Sequence, residues 1–246
     1  MKTGIIIQAR TGSTRLPNKI VKPFYNTDNI LDIQIKKLKN LNLPIIVATT
    51  NNKKDQKIID IAKSHNISYY VGSENDVLSR FVNAAKENKL SHIVRVCSDN
   101  PFIMIDLLKE VIRDDHKTFD YTSHFIENQP SITTHWGIFS ELVSLKALLK
   151  IQKLNNDAFY KEHVTNYIYS HPEQFSIKKI DVTDIIKSTN NIRLTVDTEN
   201  DFIEMKKLYK NYFDKFDNLL IEQLIEHINS ELLNKMHLSI VENSKK

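Results

Sequence analysis

Apolar positions along this chain switch repeatedly between two periods. Ile5-Ile6-Ile7 is an uninterrupted apolar run, the pattern of a strand buried on both faces, and Pro44-Ile45-Ile46-Val47-Ala48 repeats it. Residues 67–71 and Ile93-Val94-Arg95-Val96-Cys97 read as third and fourth strands. Between these runs the apolar residues fall at helical spacing: Ile30, Leu31, Ile35 and Leu38, then Ile58, Ile59 and Ala62, then Val77, Leu78, Phe81, Val82 and Ala85. A helix over 105–114 and a strand over 119–122 continue the series. Strands alternating with helices at this interval predict βαβ units, with ligands at the C-terminal ends of the strands. The expected fold is α/β, a single three-layer α/β/α domain over residues 1–246 with a mostly parallel sheet.

The periodicity breaks down over 124–135, which reads as a loop or extended excursion. Beyond it the pattern predicts strands over 137–143, 175–180 and 192–196. Helices are expected over 144–152, 158–170, 199–212 and 219–233, and residues 242–246 read as a frayed tail.

The first buried strand feeds directly into Gln8-Ala9-Arg10-Thr11-Gly12-Ser13-Thr14-Arg15-Leu16-Pro17-Asn18-Lys19. Two arginines, a lysine and several hydroxyls crowd one loop, together with Gly12, in a chain that has only four glycines. Guanidinium forks, hydroxyls and exposed backbone N–H groups at a strand's end suit a polyphosphate. A basic surface loop after a core strand is the alternative reading.

Two aspartates also end expected strands: Asp99 follows Val96-Cys97-Ser98, and Asp197 follows Leu194-Thr195-Val196. Carboxylates at that edge can hold a hard cation over bound phosphates, and Mg²⁺ commonly takes one or two protein carboxylates plus phosphate and water oxygens. Alternatively, Asp99 fixes the turn before Pro101 and Asp197 caps the next helix. Ser73 and Asp76 have the spacing of a capping box.

Composition narrows the class. The chain has 246 residues, 41% of them apolar, which is ample for a packed core. Its formal charge of +4 is modest, with no basic run interleaved with aromatics, so no nucleic-acid partner is expected. The single cysteine, Cys97, excludes an intramolecular disulfide and reads as a core residue. No signal-peptide pattern and no run of roughly 20 apolar residues occurs, so a soluble cytoplasmic protein with no membrane partner is expected.

Four segments in order carry a resemblance: the loop from Gln8 to Lys19; Gly72-Ser73-Glu74-Asn75-Asp76-Val77-Leu78-Ser79-Arg80-Phe81; Arg95-Val96-Cys97-Ser98-Asp99-Asn100-Pro101; and Thr195-Val196-Asp197-Thr198. Together they resemble the cytidylyltransferases of the spore-coat polysaccharide type, relatives of the CMP-Kdo and CMP-sialate synthetases. Gly137 with Glu141 and Ser144, and Glu162-His163-Val164-Thr165, resemble later motifs of that subgroup.

The resemblance implies a GT-A-like nucleotidyltransferase fold, CTP as substrate, Mg²⁺ as cofactor and a homodimer. It implies that Arg10, Ser13, Arg15 and Lys19 grip the triphosphate, with Ala9, Gly12 and Ser98 beside them, and that Ala48, Thr49 and Arg80 lie near the nucleoside. Asp99 and Asp197 would carry the metal, and Arg10, Lys19 and Asp99 would do the catalysis. One position departs from the pattern: Cys97 stands where the CMP-Kdo synthetases have a glutamine that helps read cytosine.

The nucleotide-binding part is expected over about 1–123 and the acceptor and dimer part over about 124–246. Glu141, Glu162, His163 and Arg193 are the acceptor candidates, because a polar acceptor needs donors and acceptors around it, and His163 could also deprotonate it. A solvated Glu-His pair is the alternative there, and Trp136 stacks on a ring or simply packs. The expected activity is transfer of CMP from CTP to a sugar, sugar acid or sugar phosphate, with release of pyrophosphate, for surface polysaccharide synthesis. A glycosyltransferase of the same fold and a catalytically silent nucleotide-binding protein are the competing readings.

Overall fold

A computed structural model describes residues 1–189 and 191–244. Its first half runs β1 (Thr3–Gln8), β2 (Pro23–Tyr25), β3 (Asp28–Asn29), α1 (Ile30–Lys39), β4 (Ile45–Thr50), α2 (Gln56–Ser64), β5 (Ser68–Gly72), α3 (Val77–Glu87), β6 (His92–Cys97) and α4 (Ile105–Val111). There follow β7 (Tyr121–Ile126), β8 (Gln129–Pro130), β9 (Glu141–Ser144), α5 (Leu145–Leu154), α6 (Ala158–Glu162), α7 (Asn166–Ser170), β10 (Ile177–Asp181) and α8 (Asp184–Ser188). Helices α9 (Glu199–Phe213), α10 (Ile221–Glu226) and α11 (Ser230–Ser244) close the chain.

Among the described residues one sheet runs β10-β7-β9-β6-β1-β4-β5, with β8 added beside β7, and β2 and β3 form a separate antiparallel ribbon. Strands β6, β1, β4 and β5 are mutually parallel. Strand β9 runs antiparallel to both β6 and β7, which makes the sheet mixed though mostly parallel. The isoleucines of β1 show how helices cover both faces. Ile6 packs with Ile46 and with Phe81 of α3, whereas Ile5 and Ile7 point the other way, toward Leu31 and Ile35 of α1 and Ile58 of α2. All three are fully buried, each contributing about 1.5–3 kcal/mol. No helix among the described residues is long and apolar enough to cross a membrane.

The structure corrects the expected elements in several places. Strand β7 extends to Ile126, into the stretch read as a loop or extended excursion, and turns at Glu127 (φ 56°) into β8. Its pattern was hidden because Thr122, Ser123 and His124 are polar yet fully buried. The helix expected over 158–170 is two, α6 and α7, broken at a point where Val164 and Thr165 turn inward and are completely buried. The helix expected over 219–233 is likewise two, because Asn229 accepts the Leu232 N–H and starts α11 afresh. That last helix continues to Ser244, so the tail expected over 242–246 is helical as far as it is described; Lys245 and Lys246 lie outside the described residues.

A further correction concerns 192–196, which is extended but joins no sheet. Leu194 N–H donates to His135 O (2.9 Å) and Val196 N–H to Asp99 O (3.0 Å). The apolar alternation is real, since Ile192, Leu194 and Val196 are buried against α9, but the partners are two loops. This connection places Asp197 beside Asp99. The strand expected over 137–143 begins only at Glu141.

Candidate active site

Strands β1, β4 and β6 all end at one edge of the sheet, and the loop after β1 folds back over that edge. Ala9 N–H bonds to Ala48 O (3.1 Å), extending the β1–β4 ladder by one residue. Thr11 O then accepts both Ser13 N–H (2.9 Å) and Asn18 N–H (3.0 Å), which closes the loop on itself. Ser13 Oγ accepts the Leu16 N–H (3.2 Å), so this hydroxyl holds loop shape. Asn18 adopts φ 62°, a left-handed conformation that Asn tolerates better than most residues, and reverses the chain so that Lys19 returns toward the sheet.

Asp55 anchors this loop from outside it. Its carboxylate is buried and accepts the Thr11 N–H (2.7 Å), the Thr11 hydroxyl and the Thr50 hydroxyl. Local spacing does not reveal it, because the bond to Thr11 spans 44 residues.

Lys19 Nζ stands within 3.4 Å of Asp99 Oδ2 and 3.2 Å of Asp197 Oδ1, and donates to Val196 O at 2.6 Å. Arg15 reaches Asp197 Oδ1 at 2.8 Å, and Arg193 reaches Oδ2 at 2.7 Å. Burial pushes the Asp197 carboxyl upward, but Lys19, Arg15 and Arg193 outweigh it and hold the group below the usual carboxylate range. Asp197 does not cap α9; Thr198 does, in a capping box with Asp201. The turn bearing Asp99 is pinned by fully buried Gln34, whose amide donates to Cys97 O (2.9 Å) and Asn100 O (2.8 Å). Gln34 is a second contributor hidden from a sequence reading, since it sits on α1 among core positions.

Among the described residues no group of three or more His, Cys, Asp or Glu could hold a metal. A cation here would therefore rest on Asp99 and Asp197 and take its other ligands from substrate and water, as suits Mg²⁺. The donor set fits: two hard carboxylate oxygens already share one positive charge, the Lys19 ammonium.

Arg80, on α3, is 0% exposed, and none of its three guanidinium nitrogens has a hydrogen-bond partner. Burial, followed by the like charge of Arg10, lowers its pKa to about 10, so it stays charged at neutral pH. Its stem lies against Gly72, where an added Cβ would meet Arg80 Cγ at 2.8 Å. Asp76 caps α3 through Ser79 N–H, and Ser73 Oγ accepts Asp76 N–H, so the expected pair acts in series. Ala48 and Thr49 are fully buried at the end of β4, and Ser98 N–H bonds back to Gln8 O (3.3 Å). Gly12 faces Glu74, whose Oε1 lies 3.0 Å from where a Cβ would stand.

The four acceptor candidates do not converge. Glu141 is fully buried with both oxygens satisfied, Oε1 by Arg95 (2.7 Å) and Thr165 (2.7 Å) and Oε2 by Tyr121. This carboxylate ties β9 to β6, β7 and the α6–α7 break and offers no free face to a ligand. Arg193 is 1% exposed at its side chain and serves Asp197, Asp201 and His135, so it positions the Asp197 carboxylate. Glu162 pairs with Arg10 at 3.2 Å, and exposed His163 packs its ring on Phe159 at 4.6 Å. Trp136 is buried in the core.

Cys97, expected in the core, instead lines a cavity of about 190 Å³ next to Asp99 and Asp197. Burial pushes its thiol up to about 11, so it is uncharged. The cavity wall also carries Asn100, Ser131, His135 and Thr195. Asn100 Oδ1, Ser131 Oγ and Thr195 Oγ1 are buried without a hydrogen-bond partner, at a cost of about 1–3 kcal/mol each. Gly137, at the back, has φ +62° and passes so close to the 194–195 backbone that a Cβ would lie 3.0 Å from Thr195 N.

Comparison with known proteins agrees with this arrangement. The sequence model of the cytidylyltransferase family matches residues 4–239. Protein MJ1063 of Methanocaldococcus jannaschii is 38% identical over 93% of this chain and 90% of its own length. The spore coat polysaccharide biosynthesis protein SpsF of Bacillus subtilis is 33% identical over 86% of this chain and 88% of its own. A cytidylyltransferase structure from Leptospira borgpetersenii superposes with a TM-score of 0.80 at 30% identity, covering 93% of this chain and 94% of that one. A match across nearly the whole chain, with the cationic loop and both aspartates at one sheet edge, shows that this protein belongs to the cytidylyltransferase family and is a CTP-dependent cytidylyltransferase.

Proposed function

We propose that this enzyme transfers CMP from CTP to a sugar or sugar-like acceptor in surface polysaccharide synthesis, with Mg²⁺ as the metal. The observation that carries this reading is the Lys19 ammonium shared between Asp99 and Asp197, with Arg15 beside it. Without nucleotide these carboxylates stand in for phosphate. A triphosphate competes for Arg15 and Lys19, which frees Asp197 Oδ1 while Arg193 keeps Oδ2 in place. Arg10 joins the same phosphates after leaving Glu162, and its planar fork makes it a poor exchange for lysine. Arg80 has donors to offer the nucleoside side of CTP. When bound, Mg²⁺ supplies charge neutralisation on the triphosphate, held by Asp99 and Asp197.

The acceptor oxygen attacks the α-phosphorus in line. Its new O–P bond forms as the bridge to the β-phosphate breaks, pyrophosphate leaves with that electron pair, and the acceptor proton passes to water. Positioning and charge stabilisation carry the reaction, without a protein nucleophile. The test is pyrophosphate release with each of the four NTPs, Mg²⁺ and an acceptor panel. Release is expected with CTP, and Asp99→Asn is expected to lose about a hundredfold or more. Undiminished turnover in that variant removes the metal assignment, and failure to bind any NTP removes the whole reading.

A further inference from the structure

We propose that the C-terminal helix α11 is a clamp on the metal site, and that Ser239 and Asp201 are the positioning residues through which it sets the Asp197 carboxylate. This rests on the reading of Asp99 and Asp197 as the metal carboxylates. The 192–196 stretch that delivers Asp197 joins no sheet among the described residues, so its place depends on side chains that reach it from elsewhere. Helix α11 holds both of its flanks. His237 Nδ1 lies 3.0 Å from Asn191 Oδ1, just before the stretch, and Ser239 Oγ donates to Asp201 Oδ1 (2.8 Å), just after it. Lys235 pairs with Glu204 of α9 (3.2 Å), and buried Met236 seats the helix in the core. A groove of about 280 Å³ runs between α9 and α11 with Arg193, Asp201 and Ser239 on its wall, so apolar packing alone does not fix one helix on the other there.

Asp201 does more than a capping box asks of it. The box needs one bond, to the Thr198 N–H (2.9 Å). The same Oδ2 also accepts the Asp197 N–H (3.0 Å) and faces Arg193 Nη2 at 3.3 Å, while Oδ1 faces Arg193 Nε at 3.4 Å. Arg193 is thereby tethered at all three nitrogens, since Nη1 lies 2.6 Å from His135 Nδ1 and Nη2 also reaches Asp197 Oδ2 at 2.7 Å. The consequence is electrostatic. A guanidinium beside a bound triphosphate is drawn to its oxygens, and the Asp201 carboxylate, buried with Arg193, holds it on Asp197 Oδ2 instead. Asp197 Oδ1 is then the oxygen offered to the cation once Arg15 and Lys19 turn to the nucleotide. Ser239 fixes the Asp201 carboxylate on the side away from Asp197, which links α11 to the metal oxygen through two side chains.

The experiment measures CTP affinity of the full chain by calorimetry, once with Mg²⁺ and once in EDTA. With Mg²⁺, Asp201→Asn is expected to bind CTP about tenfold more weakly than wild type, and Ser239→Ala about threefold more weakly. In EDTA, where Arg15 and Lys19 grip the triphosphate without the metal, both are expected to match wild type. Ser239→Thr keeps the hydroxyl and is expected to keep wild-type affinity in both conditions. In an Asp197→Asn background Ser239→Ala is expected to add nothing, because its effect passes through that carboxylate. Unchanged affinity with Mg²⁺, a loss equal in Mg²⁺ and EDTA, or a loss that adds in full to that of Asp197→Asn overturns the clamp and leaves Ser239 a packing residue. Should Asp201→Asn not fold, the Ser239 variants carry the same test. Asp197→Asn binding CTP with Mg²⁺ as tightly as wild type overturns the metal reading, and the clamp with it.

Discussion

Arg80 illustrates what a single residue reveals about the balance of stability and function. A charged guanidinium that is fully buried with three unpartnered nitrogens is costly to the nucleotide-free fold. Replacing a buried ionic group by an apolar one of similar volume is often neutral or stabilising by about 1–4 kcal/mol. Arg80→Met is therefore expected to hold or raise the urea midpoint while weakening CTP binding at least tenfold. A variant that is destabilised by several kcal/mol, with CTP affinity intact, would show Arg80 to be structural. Arg80 and Lys19 could be singled out from local motifs, because each sits in a recognisable run. Asp55, Gln34 and His135 could not, because each acts on a partner tens of residues away: Thr11, Cys97 and Arg193 respectively.

Among elements, those with an apolar run long enough to stand out were readable, and those whose run was interrupted by consecutive buried polar side chains were not. β1, β4 and β6 each carry such a run and were read correctly, although β4 also buries Thr49 and Thr50 and β6 buries His92 and Arg95. β7 escaped because Thr122, Ser123 and His124 fill core positions. The 192–196 segment misled in the opposite sense: its side chains alternate like a strand's, but its backbone partners are the loops at His135 and Asp99. Gly137 is where those two connections cross. With φ +62° and an added Cβ 3.0 Å from Thr195 N, Gly137→Ala is expected to cost about 1–3 kcal/mol and to spread Asp197 from Asp99. Chemical denaturation measures the first effect and acceptor KM the second; a variant with unaltered stability contradicts the close crossing.

On the scale of the whole molecule, pH should act through histidine. Burial lowers the pKa of His92, His124 and His135 below the ordinary 6.5. The unfolded chain therefore takes up protons first as the pH falls. The stabilisation is complete above about pH 6.5 and is lost progressively below it, whereas Asp197 and Asp201, held low by their cations, stay ionised throughout that window. Urea midpoints should drop between pH 7.5 and 5.5, and a flat profile would remove this account. We also propose a cytoplasmic homodimer, for which light scattering should return twice the chain mass of 28.7 kDa; a monomer mass would overturn it.

The sequence by itself determined the layered α/β architecture, the cationic loop after β1 and the two carboxylates, since periodicity and local motifs are short-range signals. Only the tertiary structure decided that Lys19 lies between those carboxylates, that Glu141 and Arg193 are internal supports and that Cys97 faces a cavity. Those facts depend on which distant backbones meet at the sheet edge, and a hydrogen bond across 44 or 178 residues leaves no trace in local spacing.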